Sequence, residues 1–124
     1  MKQFYRKVLD RLFWQYRGFA WRIALYIPST QGANPIDNTP YVKQALEQFS
    51  NLFGGASANP VQGSWLGESG LVTENTVIVY SYASQFSEST RQTVLGIADQ
   101  LKHTLNQESV ALEITKVTGG LYLL

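Results

Sequence analysis

Residues 54–84 read GGASANPVQGSWLGESGLVTENTVIVYSYAS, and this stretch decides the fold. Gly54 and Gly55 close a preceding helix, because glycine adopts left-handed backbone conformations without a steric penalty. Pro60 and the glycines after it keep the next segment from being helical. The run TVIVYSY at residues 76–82 is β-branched or aromatic with no breaker, which predicts a buried strand. The stretch therefore predicts a helix end and then a hairpin at the centre of a small sheet.

Hydrophobic periodicity extends this pattern in both directions along the chain. Alternating apolar residues predict strands, and apolar residues spaced by three or four predict helices. In chain order the predicted elements are a strand at 19–28, a helix at 40–53 capped by Asn38 or Thr39, strands at 56–66 and 76–82, a helix from a Ser87 cap to about Asn106, and a strand from Ser109.

The order strand, helix, strand, strand, helix, strand is that of the split βαβ arrangement. It predicts an α+β, ferredoxin-like antiparallel sheet with two helices on one face. Two additions are expected: an N-terminal amphipathic helix at residues 1–18, and a C-terminal hairpin strand after a turn at 118–120. The predicted organisation is thus the helix at 1–18 followed by a single α+β domain at 19–124.

The amino-acid composition excludes several kinds of functional site. The 124-residue chain has no cysteine, which excludes a thiolate nucleophile and a zinc site built on sulfur. Its apolar runs are too short to span a bilayer as helices, and the N-terminus lacks the pattern of a secretory signal. We therefore expect a cytoplasmic protein. No motif indicates a metal or another cofactor, and none is expected.

The net charge of +1 conceals a basic N-terminal segment, since residues 1–26 carry six basic residues against one acidic residue. A helix there has three interpretations. It covers the open face of the sheet, it contacts nucleic-acid phosphates or an anionic membrane, or it forms a protein interface. The anion-binding candidates are Lys2, Arg6, Lys7, Arg11 and Arg17, and the interface candidates are Phe4, Tyr5, Phe13 and Trp14.

Four further side chains have more than one interpretation. Trp65 is expected to pack under the hairpin, and its alternative role is an exposed anchor for a partner chain. The single histidine, His103, is predicted to face water because it lies opposite the apolar stripe of its helix. Glu68 and Glu74 flank the hairpin turn, and we expect two solvated carboxylates rather than a metal site.

The segments LFGGASANPVQGSWLGESGLVTENTVIVYSY and NQESVALEITKVTGGLYLL also carry a resemblance. They resemble a loosely defined group of small uncharacterised bacterial proteins, many from phages and plasmids. The shared pattern is a Gly-Gly-Ala-Ser helix end, a Gly-x-Trp and a Gln-Glu before the last strand. It covers residues 20–124 and implies an α+β fold without implying an activity. Its positions here are Gly54, Gly55, Ala56, Ser57, Gly63, Trp65, Gln107 and Glu108.

Three functions are open at this point. The leading hypothesis is a non-catalytic protein–protein interaction or assembly module of a bacterial complex or mobile element that contacts another chain, including a second copy of itself. The alternative is an adaptor that binds nucleic acid or an anionic membrane through the basic helix. The third is a small dimeric enzyme with a pocket between sheet and helices, built on Arg22, Tyr80, Tyr82 and His103. A fold of this type hosts many functions and does not choose among them.

Overall fold

The computed structural model of the chain describes residues 19–121, of which 118–121 by backbone alone. The predictions for the N-terminal helix at 1–18, including all its anion-binding and interface candidates, lie outside the described residues. The elements are β1 (Phe19–Pro28), β2 (Thr30–Gln31), β3 (Asn34–Pro35), α1 (Thr39–Phe53), β4 (Ser57–Gly67), β5 (Gly70–Ala83), α2 (Glu88–Thr104) and β6 (Leu112–Leu121).

Four strands form one sheet in the order β4-β5-β1-β6, and every neighbouring pair is antiparallel. The two short strands β2 and β3 form a separate hairpin between β1 and α1. The main strands alternate with the two long helices as the split βαβ pattern requires. The predicted α+β, ferredoxin-like fold is confirmed.

One hydrophobic core joins the helices to one face of the sheet. Alternate residues of β1 point into it, and Ile23, Leu25 and Ile27 are almost fully buried. Phe49 of α1 and Val94 of α2 meet them from the helix side, each with no exposed surface. The period of two along β1 and the apolar stripes of the helices therefore locate the core where the sequence predicts it.

The end of α1 is tied to β5. Gly54 has φ of 84°, a left-handed conformation that suits glycine, and its N–H donates to the Ser50 carbonyl at 2.8 Å. The hydroxyl of Ser81, a buried polar residue of β5, donates to the Gly55 carbonyl at 2.7 Å. The predicted glycine-terminated helix is thus present, and its last turn is held against the central strand pair.

The hairpin of β4 and β5 extends well beyond the rest of the sheet. Pairing between β1 and β5 ends at Pro28 and Thr76, whereas β4 and β5 remain paired to Gly67 and Gly70. Six residues of extended strand separate Thr76 from Gly70, a length of about 20 Å. This outer part of the hairpin has no neighbouring strand among the described residues.

The C-terminal hairpin prediction needs a correction. The expected turn at 118–120 does not separate two strands, because β6 runs without interruption to Leu121. Its register against β1 shifts between Phe19 and Trp21, where the partners change from Leu121 to Lys116. The glycine pair therefore lies in an irregular part of one strand, as glycines in strands often do. Residues 122–124 lie outside the described part.

Candidate functional site

A polar groove lies where β1 ends beside the extended hairpin. It has a volume of about 410 Å³, within the range of small-molecule sites. The inner half of the hairpin forms one wall, and the connection between β1 and α1 supplies the other. We call it the amide groove, and its lining residues are Ser29, Asn38, Pro60, Val61, Gln62, Asn75, Thr76 and Val77.

Strand register explains how the hairpin wall forms. Gln62 is paired with Asn75, and Pro60 is paired with Val77. Paired residues in antiparallel strands point to the same face, so these four side chains share the face that carries the helices. Because β1 stops at Pro28, this face is not covered by the core at that level. Two apolar side chains and two amides are left facing the groove.

Asn38 supplies a fixed acceptor. Its Nδ2 donates to the carbonyls of Ile27 and Pro28, both at 3.2 Å, so both amide hydrogens are used. The predicted cap of α1 therefore differs from expectation: Asn38 makes no side-chain cap bond, and Asp37 Oδ1 instead accepts from the Thr39 N–H at 3.0 Å. The remaining oxygen of Asn38 is available to a ligand.

The other polar groups of the groove have spare hydrogen-bonding capacity. The Ser29 hydroxyl donates to the Asn75 carbonyl at 2.6 Å and keeps its lone pairs free. The side-chain amides of Gln62 and Asn75 have no hydrogen-bond partner within residues 19–117. None of the described lining residues is ionisable. Such a groove suits an uncharged ligand with several hydrogen-bond donors and acceptors.

The face of the sheet that turns away from the helices carries a second polar group of residues. We call it the tyrosine cluster, and it consists of Arg22, Tyr26, Tyr80, Tyr82, Glu113 and Thr115. The guanidinium carbon of Arg22 lies 4.4 Å from the ring centre of Tyr80. Arg22 Nη1 donates to the Tyr82 hydroxyl at 3.3 Å, and the two tyrosine rings meet edge to face with centres 6.0 Å apart. Stacking and hydrogen bonding thus fix the arginine.

The second half of the cluster is a hydrogen-bonded carboxylate. Tyr26 donates to one oxygen of Glu113 at 3.2 Å, and Thr115 donates to the other at 2.8 Å. Burial raises the pKa of the Tyr26 phenol above its ordinary value, and the hydrogen bond to Glu113 raises this pKa further. The polar groups of the cluster therefore find partners in one another.

The other described cavity is too small for a metabolite. It lies between α1 and α2 and has a volume of about 40 Å³. That volume suits one or two water molecules.

Within the described part of the chain, no group of three or more His, Asp or Glu side chains is placed to hold a metal ion. In residues 19–121 no helix is both long and apolar enough to cross a membrane.

The structure separates the residues expected in a dimeric enzyme. Arg22, Tyr80 and Tyr82 come together, but on the sheet face away from the helices rather than in a pocket between sheet and helices. His103 lies on α2 with 74% of its side chain exposed, and its Nε2 is 3.5 Å from Asp99 Oδ2. The prediction that His103 faces water is confirmed, and it takes no part in the cluster.

Trp65 does not pack under the hairpin, so that prediction is wrong. It is 51% exposed near the turn, where Leu66 is 83% and Leu71 is 67% exposed. The physical reason is that this part of the hairpin extends past the core. The exposure agrees with the alternative of a partner anchor, which stays a prediction.

Glu68 lies in the turn itself, and Glu74 lies on β5 opposite Gly63.

Sequence reasoning missed the amide groove. The sequence predicts Asn38 or Thr39 as a helix cap, places Gln62 inside a strand and leaves Asn75 just before the next strand, with no role for either amide. The available signal was their register, since a two-strand hairpin with its turn at 67–70 brings Gln62 opposite Asn75.

Solved structures of a phage SAM lyase resemble this fold. The phage SAM lyase in complex with S-methyl-5'-thioadenosine matches with a TM-score of 0.59 and 24% identity, over 80% of this chain and 82% of that chain. The phage SAM lyase in its apo state matches with a TM-score of 0.60 and 23% identity over the same shares. No protein-family model matches the chain, and neither does any protein of curated function.

These likenesses correct the leading functional prediction. Both matching structures are of an enzyme, a phage SAM lyase, and each match covers most of both chains. This finding contradicts the prediction of a non-catalytic interaction or assembly module. Both structures come from phage, a source that the sequence resemblance also named. The resemblance to the group of small uncharacterised proteins stays a prediction, and so does contact with a partner chain, nucleic acid or membrane.

Proposed function

We propose that this chain is an S-adenosylmethionine lyase, which breaks the bond between sulfur and the four-carbon amino acid chain and releases S-methyl-5'-thioadenosine. The observation that carries the proposal is the amide groove. It is a neutral, hydrogen-bonding space of about 410 Å³ on a fold shared with a phage SAM lyase. The cytoplasmic location predicted from the sequence forms part of this proposal.

The groove matches the nucleoside part of that substrate. S-methyl-5'-thioadenosine carries no charge, and it has a heterocyclic base and a ribose that donate and accept hydrogen bonds. Asn38, Gln62 and Asn75 offer both donors and acceptors, and Pro60 and Val77 offer apolar surface for the base. Ligand sites commonly combine such apolar walls with a few polar groups that fix orientation.

The chemistry fits a site without an ionisable group. A positively charged sulfonium leaves as a neutral thioether, so no general acid is required. The α-carboxylate of the substrate attacks the γ-carbon, the carbon–sulfur bond breaks, and its electron pair passes to sulfur. The products are S-methyl-5'-thioadenosine and a five-membered lactone that keeps the α-amino group. Atoms and charge balance without water or an added proton.

The groove also favours this route over elimination. Elimination removes a proton from the β-carbon and needs a base within hydrogen-bond reach. None of the described groove-lining residues provides one. Attack by the internal carboxylate instead brings opposite charges together, and charge is lost in the transition state. The groove therefore accelerates this reaction by holding the carboxylate and the γ-carbon in a reactive position.

The test is incubation of the purified full-length protein with S-adenosylmethionine in water enriched in oxygen-18. We expect equal amounts of S-methyl-5'-thioadenosine and lactone, measured by liquid chromatography and mass spectrometry, with no label at the γ-carbon. Label at the γ-carbon would identify a hydrolase, and an unsaturated amino acid would identify elimination. Absence of S-methyl-5'-thioadenosine above the rate without protein would overturn the proposal.

A further inference from the structure

We infer that the amide groove selects a 6-aminopurine over a 6-oxopurine, with Asn38 as the selective group and Gln62 and Asn75 as its adaptable partners. This inference rests on the proposed function, because it places the base of the substrate in the groove. Beyond the proposed function, the inference states which side chains distinguish a 6-aminopurine from a 6-oxopurine and which bind both.

Asn38 is selective because its side-chain amide cannot exchange the positions of its oxygen and nitrogen by rotation. Both hydrogens of its Nδ2 are committed to the carbonyls of Ile27 and Pro28. Rotation of the amide by 180° would break both bonds and bring its oxygen against those carbonyls. Its Oδ1 therefore remains an acceptor as long as these two hydrogen bonds are made. It accepts from the amino group at position 6 of adenine and repels the carbonyl oxygen at position 6 of hypoxanthine.

Gln62 and Asn75 are adaptable because no described residue fixes their amides. They are directly opposite one another on β4 and β5, with β-carbons about 5 Å apart. Each amide offers a donor and an acceptor, the combination that pairs with an adenine edge. Either amide can also turn to present the reversed order to a 6-oxopurine. These two side chains therefore add affinity for both bases, whereas Asn38 supplies the difference between them.

The experiment is calorimetric titration of the full-length protein with S-methyl-5'-thioadenosine and with S-methyl-5'-thioinosine. The wild-type protein should prefer the adenine compound by about tenfold or more, since a site built to hydrogen-bond one group rejects the analogue that lacks it. Gln62→Leu and Asn75→Leu should each weaken binding of both compounds by about fivefold and leave the preference unchanged.

Asn59→Leu is the matched control. Asn59 is an exposed amide on the same strand as Gln62, but it is paired with Ile78 on the opposite face and does not line the groove. It should bind both compounds as the wild type does. The substituted side chains are all exposed on a hairpin, so we expect each variant to fold. The part of the preference for adenine that persists in the Gln62→Leu/Asn75→Leu double variant is the part assigned to Asn38.

The outcomes separate this inference from the proposed function. Cleavage of S-adenosylmethionine with equal affinity for the two nucleosides overturns the inference and leaves the lyase proposal standing. Preferential binding of the adenine compound without cleavage supports the inference and overturns the lyase proposal. Binding of neither nucleoside overturns the inference, and so does a Gln62→Leu/Asn75→Leu double variant that binds as tightly as the wild type.

Discussion

The amide groove and the tyrosine cluster are both built around β1 and β5, but they differ in how their polar groups are satisfied. In the cluster, Arg22 is stacked on Tyr80, and both oxygens of Glu113 accept hydrogen bonds. In the groove, the amides of Gln62 and Asn75 have no partner among the described residues. Polar groups that satisfy one another contribute to the fold. Exposed polar groups that have no protein partner are hydrated, and beside a cavity they can exchange that water for a ligand.

The strongest way to test this contrast is to fill the groove. Gln62→Trp places a large ring where the nucleoside is proposed to lie, on an exposed strand position that tolerates an aromatic residue. We expect cleavage of S-adenosylmethionine to fall by at least about 100-fold, roughly 2.7 kcal/mol of lost transition-state stabilisation. The measurement is kcat/KM from the rate of S-methyl-5'-thioadenosine release.

The matched control for this substitution is Asn59→Trp, which adds the same ring to the opposite face of β4. It should keep kcat/KM within about twofold of the wild type, because most surface substitutions have small effects. If both tryptophan variants are equally inactive, the ring acts on the hairpin as a whole and the groove is not the site. If neither loses activity, the substrate binds elsewhere.

Arg22→Met tests the other side of the comparison. The substitution keeps much of the side-chain length but removes the hydrogen bond to Tyr82 and the cation above the Tyr80 ring. We expect the free energy of unfolding, measured in urea, to fall by about 1 kcal/mol. The rate of S-adenosylmethionine cleavage should stay within about twofold of the wild type. A large loss of activity at unchanged stability would place the cluster, rather than the groove, in the reaction.

Sequence alone predicted the four strands of the main sheet and the two helices, but not the short hairpin of β2 and β3 or the uninterrupted end of β6, because local patterns determine the longer elements. The β-branched run at 76–82 and the alternation in β1 define strands, and the stripes of α1 and α2 define helices. The exposure of Trp65 could not be predicted in the same way. It depends on β1 ending at Pro28 while the hairpin continues, which is a relation between distant elements.

Only one part of the candidate sites was predictable from the sequence: which side chains share a face of the sheet, because strand alternation determines it. Arg22, Tyr80 and Tyr82 alternate with core residues, so their grouping on one face could be foreseen. The groove joins Asn38 to Gln62 and Asn75, which come from separate parts of the chain and resemble ordinary solvent-facing polar residues. What distinguishes them is the hydrogen bonds that their neighbours do or do not offer, and that information exists only in the folded structure.

The smallest predicted effect concerns Tyr26 and the pH dependence of stability. Burial raises the pKa of its phenol above about 10, and the adjacent Glu113 raises this pKa further. A raised pKa means that the folded protein favours the protonated phenol. The associated stabilisation is complete below about pH 10 and is lost as the pH rises through the pKa of the folded state.

Urea unfolding of the wild type and Tyr26→Phe between pH 8 and pH 11 measures this contribution. At pH 8 the variant should be less stable by about 1 kcal/mol, because the Glu113 oxygen loses a donor. Above pH 10 the gap between the two proteins should narrow, since only the wild type has a phenol at position 26 to ionise. The other tyrosines are common to both proteins and cancel in the difference. If the free energies of unfolding of the two proteins stay parallel up to pH 11, Tyr26 does not donate to Glu113 in solution. The comparison between the hydrogen-bonded tyrosine cluster and the amide groove would then be wrong for the cluster.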